Sequence, residues 1–286
     1  MSRGGVLNGA AGAGIALAVA LLFCGLLLFV GPTLAEDVLG ALGVGDPAAG
    51  EALFTLIIFG VLLLAAVGAG ALWGVTALAP GERPATWAGA GLALGLGGIA
   101  AATGYAALAG TVQPATNAGP AATMILLGIV TVLVQVLAEE AFFRGWLQPV
   151  LVRAWGVVPG VLVGAVAFSV LHVAGGAREP LSLINLVLGG VVFGVLALLG
   201  RGIAAPLMMH WAWNGTEQLL FGLDPNPGVG GFGAVWDFEL AGAGLWGGSA
   251  EGLNASLGMT LVLLAVLLPL AAGARRRVAP VVTARA

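Results

Sequence analysis

Residues 121–153 read AATMILLGIVTVLVQVLAEEAFFRGWLQPVLVR, and this stretch decides the fold. From Ala121 to Ala138 no residue is charged; Glu139, Glu140 and Arg144 then arrive inside the same apolar run. A hydrocarbon layer about 30 Å thick takes roughly 20 apolar helical residues to cross, and the run is long enough. The rest of the chain is alike. Of its 286 residues 60 % are hydrophobic and only 8 % are charged, with a mean hydropathy of +1.08, so polar groups are too few to cover a water-facing surface. The surrounding solvent must be lipid.

Working outward, apolar runs bounded by Gly, Pro or charge predict eight helices, at about 10–31, 53–78, 86–108, 121–153, 159–173, 181–199, 203–221 and 254–273. The expected fold is all-α and polytopic, one transmembrane domain over 1–286 with about eight spans. The first run follows Arg3 and precedes Thr33-Leu34-Ala35, as in a cleaved signal, but its apolar stretch is long for one and reads as a span. With cytoplasmic N- and C-termini, Arg3, Arg83, Arg153, Arg201, Arg275–Arg277 and Arg285 all fall inside and only Arg178 outside. Nine acidic residues do the reverse: Glu36, Asp37, Asp46, Glu51, Glu179, Asp224, Asp237, Glu239 and Glu251 fall in the outer loops. The expected location is the plasma (inner) membrane. A net charge of -3 gives no footprint for nucleic acid. The single cysteine, Cys24, allows no internal disulfide and reads as a small buried hydrophobe. The glycines of 89–98 allow close helix packing. The outer connection 222–252 carries the turn signal Asp224-Pro225-Asn226-Pro227-Gly228, and its Phe232, Trp236, Phe238 and Trp246 read as an interfacial aromatic belt.

Ionisable side chains inside spans are expensive and gather at functional sites. Glu140 and Arg144 stand at i and i+4, one helix face, and read as a structural ion pair. Glu139 points about 100° away, with no partner in its own sequence neighbourhood, the setting of a general base. The only two histidines are His172, in the fifth helix, and His210, in the seventh, the latter sharing a face with Asn214. Depth permits them to meet. At about 1.5 Å per residue, Glu139 lies about 21 Å from Arg153, His172 about 20 Å from Pro159, and His210 and Asn214 about 14 and 20 Å from Arg201. Glu217 lies on the same stripe as His210, near an outer helix end where it reads more readily as a hydrated carboxylate. Gln135 and Asn185 are further polar groups, explained equally by helix–helix hydrogen bonding.

These blocks resemble the motifs of the type II CAAX prenyl endopeptidases and their bacterial relatives, the CPBP or Abi family of intramembrane proteases. Glu139-Glu140-Ala141-Phe142-Phe143-Arg144 is similar to the Glu-Glu-x-x-x-Arg motif, Phe168 to His172 to Phe-x-x-x-His, and His210 to Asn214 to His-x-x-x-Asn. The resemblance covers about residues 121–220, the expected catalytic core. It implies an intramembrane endopeptidase in which Glu139 activates water with help from His172, and His210 and Asn214 stabilise the oxyanion. Glu140, Arg144 and Phe168 support them. It further implies a polar cavity open to the cytoplasm and an apolar side entrance, with lipid and a lipid-modified or helical protein or peptide as partners.

A zinc ion on Glu139, His172 and His210 is compatible with the residue types, but the His-Glu-x-x-His pattern is missing, and no obligatory metal is expected. Two other readings of the buried groups stand beside the protease: a proton-coupled transporter, and a non-catalytic immunity or sequestering protein of the same family.

Overall fold

The computed structural model describes residues 9–115 and 122–283. Helices α1 (Gly9–Ala41), α2 (Pro47–Trp73) and α3 (Pro84–Leu108) come first. Next, α4 (Ala122–Glu140) runs through a π-helical stretch, Ala141–Leu147, into α5 (Gln148–Trp155) as one rod. The chain continues through α6 (Val157–Ala174), α7 (Pro180–Gly200), α8 (Ala204–Gly215, ending in π turns over Thr216–Leu220) and α9 (Leu257–Thr283). Local signals set several ends: Asp46 caps α2 by accepting from the Ala49 amide at 2.8 Å, Pro47 occupies its first turn, and Gly74 closes it left-handed. Helix α1 outruns the expected end at 31. A proline inside a helix forfeits one backbone hydrogen bond, and α1 absorbs that loss at Pro32 and continues to Ala41.

The fold is an all-α polytopic membrane protein, with seven helices among the described residues long and apolar enough to cross a bilayer. The eighth expected span corrects to something shorter. Segment 204–220 is only about 25 Å long at helical rise, and none of its residues is exposed. Packed against α3, α4 and α7, it need not match the hydrocarbon thickness itself. It still joins two opposite faces. On one face the Arg83 and Arg201 loops meet: Glu82 N donates to Gly200 O (2.8 Å), Ile203 N to Ala79 O (2.9 Å), and Arg201 pairs with Glu82 (2.7 Å). On the other, β1 (Val112–Pro114), β2 (Leu223–Asp224) and β3 (Phe238–Leu240) form a small sheet in the order β1-β3-β2. Arg3 and Arg285, part of the charge argument, lie outside the described residues.

The glycines of α3 seat α8. A methyl group on Gly91 would come within 2.2 Å of the Ala205 carbonyl oxygen, and one on Gly95 within 2.4 Å of that of Met209. Backbone cannot give way as a side chain can. Gly95→Ala is expected to cost about 1–3 kcal/mol by overpacking and to displace the neighbouring His210, read as a lower melting temperature in detergent.

The outer connection is tied down rather than floating as a belt. Phe232 is 1 % exposed, wedged beside Gly128, so the belt reading fails for it; Trp236 stays half-exposed, stacked on Phe221. Glu51 of α2 accepts from the Gly231 amide at 2.6 Å, and Glu251 from the amides of Arg178 and Glu179 at 2.6 and 2.8 Å. Partial desolvation works against it, yet the nearby Ser182 hydroxyl, the bonds from these amides and the Arg178 charge hold the Glu251 carboxyl below the ordinary carboxylate range. A depressed carboxyl contributes stability that is complete above its unfolded value and lost as pH falls through its folded one. Hydrogen-exchange protection of residues 222–252 is therefore expected to hold at neutral pH and to fall only below the usual carboxylate range; protection that falls on alkalinisation instead would contradict this.

Candidate active site

The site is assembled on four helices. The last turn of α4 presents Glu139 and Glu140 on different sides. Glu140, 0 % exposed, accepts from Arg144 Nη1 at 2.9 Å and from His210 Nδ1 at 2.8 Å. The Arg144 guanidinium lies over Phe168 (4.4 Å to the ring centre) and Phe193 (5.1 Å), and its Nη2 donates to the Gly190 carbonyl at 3.4 Å. One buried arginine thus ties the π-helical stretch to α6 and α7. The stretch is entirely buried, and Gly145 within it has no room for a side chain, since a methyl group there would meet the Ala77 carbonyl at 1.8 Å. The widened turns put Phe142, Phe143 and Trp146 in edge-on contact below the carboxylates.

His210 stacks on Phe193 with ring centres 4.7 Å apart. Because Nδ1 donates to Glu140, Nε2 is the atom presented to Glu139, 3.8 Å from its Oε2. His172 is oriented differently: Nδ1 donates to the Phe168 carbonyl at 3.0 Å, which leaves its Nε2 free. Glu139, His172, His210 and Asn214 all line one cavity of about 230 Å³. Glu139, Phe168 and His172 also border a larger apolar groove of about 590 Å³, walled by Leu27, Ile58, Leu62 and Leu171 among others.

Several expectations are corrected here. Glu140 is no private partner of Arg144, because His210 shares it. Glu139 is not without a local partner, since Gln135 Nε2 donates to it at 3.4 Å. Glu217 is 5 % exposed and lines the cavity, not a hydrated helix end, because α8 finishes inside the protein. Asn185 does tie helix to cap, donating to Asn254 O (2.8 Å) and Ser256 O (3.0 Å) and accepting from Thr260 (2.7 Å). Asn226 and Asn254 also line the cavity, so it reaches up to the outer connection. Among the described residues no group of three His, Cys, Asp or Glu side chains converges as metal ligands. Phe193 gave no signal in the sequence, being one aromatic in an apolar helix.

A comparison with curated proteins finds no match. Residues 121–216 match the protein family described as type II CAAX prenyl endopeptidase Rce1-like. That window includes Glu139, Glu140, Arg144, Phe168, His172, His210 and Asn214 and leaves α1 to α3 and α9 outside. The segment carrying the site is thus similar to the Rce1-like family, and the chain is an integral, multi-pass membrane protein.

Proposed function

We propose that the chain is an intramembrane endopeptidase that hydrolyses a peptide bond with water activated by Glu139. The observation that carries this reading is the gathering of Glu139, His172, His210 and Asn214, from three helices, around one cavity. Glu139 takes a proton from a water that hydrogen-bonds to it and to His172 Nε2, and the resulting hydroxide attacks the carbonyl carbon. The oxyanion accepts from the Asn214 amide and is further stabilised by the His210 ring, which Glu140 orients through Nδ1. Glu139 then passes its proton to the departing amine nitrogen as the C–N bond breaks. No step runs through a metal.

The apolar groove beside Glu139 supports a substrate presented from the bilayer, lipid-modified or helical. The arginine distribution supports cytoplasmic termini and a plasma (inner) membrane location. Asn214→Ala is expected to lower kcat about 10²- to 10³-fold with KM little changed, the signature of a lost oxyanion donor; an unchanged kcat removes Asn214 from the mechanism. Proton-coupled flux in sealed vesicles that survives Asn214→Ala would favour the transporter reading instead, and immunity that survives loss of both Glu139 and His210 the sequestering one.

A further inference from the structure

We propose that the cavity opens to the extracytoplasmic side, so that the bond cleaved belongs to an extracytoplasmic segment of a membrane-attached protein. This rests on the hydrolase reading for its substrate, and on geometry and the arginine distribution for its direction.

Three observations converge. First, the loops fall into two groups joined by their own hydrogen bonds. The arginine-bearing loops around Glu82 and Arg201 pair with each other. The acidic outer connection pairs instead with Thr111, with the α6–α7 turn through Glu251, and with the start of α2 through Glu51. Second, the cavity reaches the acidic group. Asn226 of the outer connection and Asn254, just before α9, line it, together with Asn185 near the first turn of α7 and Glu217 near the last of α8. Third, the other direction is plugged. Every residue from Glu140 to Gln148 is buried, and the guanidinium of Arg144 is sandwiched among Phe143, Phe168 and Phe193. Both the cavity and the apolar groove that border Glu139 reach Asn226 and Asn254, while the packed aromatic layer on the other side offers water no path. Arginine enrichment marks the plugged face as cytoplasmic.

The test uses the full-length chain with Cys24→Ser and single cysteines at Asn226→Cys, Trp236→Cys or Arg201→Cys, in sealed right-side-out and inverted vesicles. A membrane-impermeant maleimide is expected to label Asn226→Cys and Trp236→Cys in right-side-out vesicles, and Arg201→Cys only in inverted ones. A small charged methanethiosulfonate should modify Asn214→Cys at least tenfold faster in right-side-out vesicles. Labelling of Trp236→Cys only after inversion, or from both orientations alike, overturns the proposal, as does faster modification of Asn214→Cys in inverted vesicles. Trp236 is half-exposed on the outer connection and away from the cavity lining, so it reports the face even if Asn226→Cys is poorly tolerated. None of these readouts needs catalysis, so the direction can fail while hydrolysis stands, and hydrolysis can fail while the direction stands.

Discussion

Glu139→Gln is expected to lower kcat/KM by about 10²- to 10⁴-fold, the range for loss of a positioned general base. The substitution keeps size and shape. It leaves Glu140 in place, so the bonds from His210 Nδ1 and Arg144 Nη1 persist, and the Gln135 amide can still reach the new side-chain oxygen. Melting in detergent should therefore stay near that of the parent while cleavage is lost. Stability and activity falling together would make Glu139 a structural residue, and full activity would remove it from the chemistry. Either result would send the search for a base to Glu217, the other carboxyl on the cavity wall.

Arg144→Ala carries the largest expected cost in stability. Glu140 would be left fully buried with its main counter-charge gone, and breaking a buried pair from one side costs about 3–5 kcal/mol. The stacking on Phe168 and Phe193 and the bond to the Gly190 carbonyl would go with it. Arg144→Lys should recover only part of this, because an ammonium supplies charge without the planar fork that lies between two rings. Thermal unfolding in detergent ranks the three proteins, parent above Lys above Ala; equal melting of all three would show that Glu140 does not need the pair. His210 should lose its orientation in the Ala variant, since its Nδ1 partner is the same carboxylate.

The run 121–153 made the helical membrane fold legible, because an uncharged apolar stretch of that length has few alternatives in water. Spacing within a helix was legible too: Glu140 with Arg144 needs only the i, i+4 rule. Contacts between helices were not. His210 Nδ1 finds Glu140 seventy positions away in the chain, a choice made by how α8 seats against α4, and no local pattern encodes it. The burial of Phe232 and Glu217 escaped for the same reason, since a loop aromatic reads as interfacial and a carboxylate at an outer helix end as hydrated until their neighbours are known. Helix α8 misled in another way. Its apolar composition looks like that of a span, but composition does not distinguish a helix bathed in lipid from one wrapped in protein.

That wrapping has a consequence for how the bilayer acts on the reactive groups. Thickening or thinning the membrane tilts and strains helices whose flanks touch acyl chains. Every residue of segment 204–220 is at least partly buried, so such stress reaches it largely through the longer helices around it. The height of His210 and Asn214 is then referenced to the glycine notches of α3 and not to the lipid headgroups. Chemistry on this scaffold should tolerate changes in lipid chain length that would upset a site mounted on a lipid-facing helix.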